Sequence, residues 1–86
     1  MDDKSFDLTD DNFDESIEKG DHFVYFFHPG CVKCIHFGPE WKFFARDQLK
    51  KEEPGSVTIS KMNLIENEKT ARRLRIRSFP TLIYFS

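Results

Sequence analysis

Residues 22–27, His22-Phe23-Val24-Tyr25-Phe26-Phe27, carry apolar side chains on both of their alternating rows. Successive side chains along a strand point to opposite sides, so Phe23, Tyr25 and Phe27 form one row and Val24 and Phe26 the other. A strand that is apolar on both rows must be covered on both sides, as the central strands of α/β sheets are. The rest of the 86-residue chain therefore has to supply two covering layers. That length allows one domain with a thin core. Ten phenylalanines provide apolar material for it.

The flanking sequence fits this demand. Ser5 to Leu8 reads as a short strand. Thr9 is the predicted N-cap of a helix with Phe13 and Ile17 on one face and Gly20 as its stop. His28-Pro29-Gly30 breaks the central strand. From Cys31 to about Lys51, Phe37, Trp41, Phe44, Ala45, Gln48 and Leu49 recur at three- and four-residue steps, which predicts a long helix. Pro39 lies inside it and should kink it. Pro54-Gly55 closes the next connection. Val57, Ile59, Met62 and Leu64 suggest a second core strand, Glu66 to Leu74 a short helix, Ser78-Phe79-Pro80 a turn, and Thr81 to Phe85 a last apolar strand. The order β-α-β-α-β-α-β implies an α/β sandwich with parallel pairings. An apolar strand at the end of the chain has a bare edge, which proteins normally cover, so a domain continuing beyond residue 86 is expected.

Charge excludes some functions. A net charge of −2 gives no case for nucleic-acid binding. No apolar run approaches a membrane span, so no membrane insertion is expected. Met1-Asp2-Asp3-Lys4 is too acidic to open a signal peptide, which leaves a cytosolic chain or a piece of a longer secreted or organellar protein. Acidic residues crowd the start (Asp7, Asp10, Asp11, Asp14, Glu15 and Glu18 among them). Lys69, Arg72, Arg73, Arg75 and Arg77 crowd a later stretch, which reads either as a solvated face or as a basic interaction face.

Cys31 and Cys34 are the only cysteines. Two are too few for a disulfide scaffold. A Cys-x-x-Cys bridge closes too short a loop to stabilise much. Such pairs serve chemistry or metal binding. The pair lies between the central strand and the first turn of the long helix. Free N–H groups and the helix dipole favour an anion there, so the Cys31 thiolate should be stabilised, with Lys33 adding a positive charge. Cys34, one turn in, should be more buried. The expected roles are Cys31 as nucleophile and Cys34 as the resolving thiol. The alternatives are a pair of inert buried cysteines, or a metal site formed by His28, Cys31, Cys34 and His36. Structural zinc usually draws on two separated ligand pairs, so no metal and no cofactor are expected. His22 should be exposed at its strand start and His36 on the surface. His28 either tunes Cys31 or packs beside it.

Four segments in order resemble one family: Leu8-Thr9-Asp10-Asp11-Asn12-Phe13, the run from His22 to Cys34, Gly38-Pro39-Glu40-Trp41, and Arg75-Ile76-Arg77-Ser78-Phe79-Pro80-Thr81. They resemble a thioredoxin-like domain of the protein disulfide isomerase family, close to endoplasmic-reticulum proteins with several such domains. The resemblance implies a thioredoxin-like βαβαβαβ sandwich over residues 1–86, C-terminally incomplete and lacking the family's last strand and helix. It implies a thiol–disulfide oxidoreductase or isomerase acting on protein disulfides, in the lumen of the endoplasmic reticulum, or in the cytoplasm if these residues are the whole product. It also implies a cis bond before Pro80, packed against the cysteines, and a substrate groove at Gly30, Val32 and Phe79, with Lys33 and His28 in support. The family usually has Trp where Gly30 stands, Gly-His where Val32-Lys33 stand, a buried carboxylate at Tyr25 and aspartate at Asn63. These departures suggest slow turnover, or alternatively a catalytically weak module that binds unfolded or partner polypeptides.

Overall fold

In the computed structural model, residues 6–49 and 57–85 are described. Ser5, the end of the long helix at Lys51 and the Pro54-Gly55 turn lie outside them. Seven elements follow one another: β1 (Phe6–Leu8), α1 (Phe13–Ile17), β2 (His22–Phe27), α2 (Val32–Leu49), β3 (Thr58–Asn63), α3 (Glu68–Leu74) and β4 (Thr81–Phe85). The strands form one sheet in the order β1-β3-β2-β4. β1, β3 and β2 run parallel, whereas β4 runs antiparallel to β2, with Tyr25 opposite Leu82 and Phe23 opposite Tyr84. The sheet is thus mixed rather than wholly parallel.

The two rows of β2 face two separate cores, as its sequence demands. Val24 and Phe26, both 0% exposed, pack with Leu8, Phe13, Met62 and Leu64 on the side of α1 and α3. Tyr25 packs with Trp41, Ala45 and Ile59 on the side of α2, joined by Phe23, Phe27, Phe37 and Phe44. Each fully buried aliphatic or aromatic side chain contributes about 1.5–3 kcal/mol. Aromatic edges add to this, with Phe13 against Phe85 at 5.5 Å and Tyr25 against Trp41 at 4.9 Å between ring centroids.

Two local expectations change. Thr9 caps a turn rather than α1: its Oγ1 and carbonyl both accept from the Asn12 N–H, Asn12 Oδ1 accepts from the Thr9 N–H, and Asn12 is the residue that precedes the helix. His22 is buried, at 6% exposure, with its Nδ1 3.2 Å from Ser60 Oγ. Strand β3 brings that hydroxyl alongside and lets a polar ring be buried with a partner.

The charge polarity of the sequence has a structural meaning. Asp10 accepts from the N–H groups of Lys69 and Thr70 and from the Thr70 hydroxyl, at the first turn of α3. Burial pushes the Asp10 carboxyl up, and the Thr70 and Lys69 donors outweigh it and lower it below the usual range. Asp14 accepts two hydrogen bonds from the Arg73 guanidinium, which lies over the Phe13 ring. Arg72 pairs with Glu68 one turn earlier. Within the basic stretch, Arg73 is therefore the residue whose side chain ties α3 to α1, while Arg72, Arg75 and Arg77 stay exposed.

Candidate active site

The site is built by the junction of β2 and α2. The central strand ends at Phe27, and His28, Pro29 and Gly30 turn the chain into the helix. Cys31 stands immediately before α2, and its carbonyl accepts from the Ile35 N–H at 3.1 Å, the first bond of the helix. A residue in that position uses its side chain to satisfy the free N–H groups of the first turn. Here the acceptor is sulfur. Cys31 Sγ lies 3.2 Å from the Cys34 N–H donor.

The two thiols are driven apart. The thiol of Cys34 donates to Cys31 and is the largest cause lowering the Cys31 pKa, assisted by the Cys34 and Lys33 amides and, least of all, by the Lys33 charge. Burial is the largest cause raising the pKa of Cys34, and its hydrogen bond to Cys31 raises it further. Cys34 is 6% exposed, while Cys31 is half-buried and reachable. The asymmetry has the sign expected from sequence; for Cys31 the partner thiol leads, ahead of the helix-start amides and the Lys33 charge, and for Cys34 burial leads.

Opposite the pair stands the turn before β4. The Phe79–Pro80 peptide bond is cis. The Phe79 carbonyl lies 3.7 Å from Cys31 Sγ. Gly30 and Val32 are exposed beside Cys31, Val32 at 65%. Lys33 is exposed, as is His36. His28 is half-buried, and its ring meets that of Phe79 edge to face at 5.7 Å. Among the described residues no three His, Cys, Asp or Glu side chains are placed to hold a metal ion together, so His28, Cys31, Cys34 and His36 do not form a ligand set.

Behind Cys34 an apolar cleft of about 750 Å³ is lined by Tyr25, Phe27, Cys34, Pro39 and Trp41, with Lys61 and Asp7 at its side. The Tyr25 hydroxyl donates to the Cys34 carbonyl at 3.5 Å and also lowers the pKa of the Cys34 thiol. The sequence marks Tyr25 as standing where the resembling family has a buried carboxylate, but its hydrogen bond to the first turn of α2 was not legible there. The strand–helix crossing creates it by laying the first turn of α2 over the end of β2.

The Thioredoxin family model matches residues 4–86. The chain belongs to the thioredoxin family. As a thioredoxin-family chain it is similar to parts of longer proteins. It is 36% identical over 81 residues to the Thioredoxin domain-containing protein 5 homolog of Drosophila melanogaster, covering 94% of this chain and 19% of that protein. It is 36% identical to Protein disulfide-isomerase 1 of Caenorhabditis elegans, over 91% of this chain and 16% of that protein. To human Protein disulfide-isomerase A6 it is 33% identical, over 92% and 18% respectively. The chain thus spans less than a fifth of these relatives. Two solved structures share its fold. The first thioredoxin domain of mouse Protein disulfide-isomerase A4 matches with a TM-score of 0.82 at 23% identity, over 95% of this chain and 58% of that one. The first two thioredoxin domains of Naumovozyma dairenensis Eps1p match with a TM-score of 0.88 at 24% identity, over 100% and 33%. The mixed sheet with helices on both faces is the thioredoxin fold.

Proposed function

We propose that this domain exchanges thiols and disulfides with protein substrates, with Cys31 as nucleophile and Cys34 as resolving thiol. The observation that carries this is the opposite perturbation of the two thiols at one helix start, Cys31 lowered and Cys34 raised. The thiolate is the reactive form, so the exposed sulfur is the one that is ready. Its attack on one sulfur of a substrate disulfide forms a mixed disulfide, and the departing substrate thiolate takes up a proton. Cys34 then gives up its proton and attacks Cys31 Sγ. The Cys31–Cys34 bond forms, the mixed disulfide breaks, and the substrate leaves as a dithiol. Two electrons pass from the cysteine pair to the substrate, and the reverse sequence oxidises a substrate dithiol.

The groove between Gly30 and Val32 on one side and Phe79 and Pro80 on the other suits an extended substrate backbone. The Phe79 carbonyl beside Cys31 Sγ supports this reading. Lys33 assists the thiolate, in a minor part. The named relatives support a protein disulfide isomerase-like role in protein folding, and by resemblance a home in the endoplasmic reticulum. No described helix is long and apolar enough to cross a membrane.

A second reading rests on Tyr25. Its phenol eases Cys34 ionisation by hydrogen bonding but, unlike the carboxylate of the resembling family, takes no proton, which favours slow resolution and a groove that holds polypeptides. Both are tested by equilibrating the pair with glutathione and timing reduction of a protein disulfide against a Cys31→Ser control. Exchange faster than the control supports the enzyme. No excess over the control, with binding of unfolded chains that survives Cys31→Ser, supports the holding module.

A further inference from the structure

His28 makes three contacts that converge on the loop leading to Cys31. Its carbonyl accepts from the Cys31 N–H at 3.0 Å. Its Nδ1 accepts from the Gly30 N–H at 2.8 Å. Its ring meets Phe79 across the groove. One residue thus receives two successive amides of the loop and braces it against the turn that faces the sulfur. An Nδ1 that accepts leaves the ring proton of a neutral imidazole on Nε2.

Gly30 is the counterpart. Its φ lies outside the left-handed region, so its backbone does not require glycine. The constraint is space. A Cβ at position 30 would fall 2.9 Å from His28 Cε1 and 3.4 Å from Nδ1. The imidazole fills the volume that a side chain on residue 30 would otherwise take. Any such side chain has to displace the ring, and displacement strains both the Gly30 hydrogen bond and the Phe79 contact.

We infer that His28 is a positioning residue that walls the groove in place of a side chain at position 30 and limits how freely a substrate disulfide reaches Cys31 Sγ. The inference rests on the thiol exchange proposed above and adds to it the element that controls access. Bulky protein disulfides meet the wall, whereas a small disulfide such as oxidised glutathione passes it more easily.

The test is alkylation of Cys31 by iodoacetamide, in which the thiolate displaces iodide and forms a thioether, measured with single labelling confirmed by mass. Rates are taken on the high-pH plateau, where ionisation is complete and only access differs. His28→Ala and Gly30→Ala should each accelerate the reaction by roughly three- to tenfold, a barrier lower by about 0.7–1.4 kcal/mol once the ring no longer stands in the way. The double variant should be no faster than either single one, because both act by removing the same ring. His28→Phe, which keeps a wall against Phe79, should stay near the parent rate. His28→Asn, which keeps an acceptor but no ring, should behave like His28→Ala. Melting midpoints identify variants that merely lose structure, and His28→Phe with His28→Asn decides the question should Gly30→Ala fail to fold. The inference is overturned if His28→Asn matches the parent, or if the single effects simply multiply. Exchange with protein and glutathione disulfides is measured on the same variants. Absence of exchange in the parent strikes the proposed activity, while the alkylation rates judge the wall independently.

Discussion

Arg75 sits in the left-handed helical region, at φ 55° and ψ 41°. The Ile76 N–H donates to the Ala71 carbonyl at 3.1 Å and the Arg75 N–H to the Arg72 carbonyl at 3.2 Å. Those two bonds, with Ala71 and Ile76 packed on the same core, are the Schellman termination of a helix, in which the left-handed residue is normally glycine. The resembling family segment has glycine there. A side chain in this conformation costs about 1–2 kcal/mol from the clash of Cβ with the following carbonyl. Replacement by glycine removes that cost and returns about 0.4–1 kcal/mol to the unfolded chain as extra freedom. The Arg75 side chain is exposed, so little packing is lost with it. The net gain for Arg75→Gly then lies between about 0 and 1.6 kcal/mol, centred near about 0.8 kcal/mol. For a domain of this size a gain near that centre raises the melting midpoint by about 2–8 °C. Calorimetry or thermal circular dichroism reads it, with Arg75→Ala, which keeps the Cβ, as control. Arg75→Ala should lie within about 0.5 kcal/mol of the parent. The reasoning fails if Arg75→Gly is no more stable than Arg75→Ala.

Other expectations follow from the same geometry. Cys34→Ala should raise the Cys31 pKa more than Lys33→Met does, because the Cys34 thiol is the leading cause of the lowering and the Lys33 charge the last; alkylation-rate titrations of both variants rank them. Burial lowers the His22 pKa in the fold. The unfolded chain therefore binds a proton near pH 6.5 that the folded one resists, and stability falls as pH drops below about 6.5. Urea unfolding at pH 7.5 and 5.5 should show that loss, and His22→Gln should shrink it. Trp41, 1% exposed and the centre of the α2-side core, should cost about 3–5 kcal/mol as Trp41→Ala, seen as a shift in the urea midpoint. Asp14→Asn should destabilise only slightly, read as a small shift of the urea midpoint that disappears in high salt, because the pair it breaks is exposed on both sides.

The fold was largely legible because β2 is apolar on both rows and α2 repeats its large residues at helical steps. Those patterns report burial, and burial decides layers. What escaped was settled by contacts between distant segments. His22 is polar and opens a strand, so it reads as exposed until β3 supplies Ser60. The antiparallel direction of β4 is recorded by no residue of Thr81 to Phe85, whose apolar pattern reads the same either way. Cys31 and Cys34 were legible as an unequal pair from their place at a helix start. The Cys34 thiol as chief stabiliser, the Tyr25 hydroxyl behind it, and the exclusion between His28 and Gly30 all require side-chain positions that spacing does not encode. Gly30 shows the difference most clearly: the sequence marks only a missing aromatic residue, whereas the structure has another ring standing in that space.

The pairing of the acidic start with the third helix bears on how the chain is born. Asp10 meets Thr70 and Asp14 meets Arg73 across 60 and 59 positions. β1 likewise finds its neighbour only in β3. At ribosomal rates of about 5–20 residues per second, roughly 3–12 s pass between the emergence of these partners. For that interval Asp10, Asp14 and β1 lack their partners, while Phe13 has only Val24 and Phe26 of β2 to pack on. A folding helper that binds this emerging chain would have its window there, before Thr70 and Arg73 leave the tunnel.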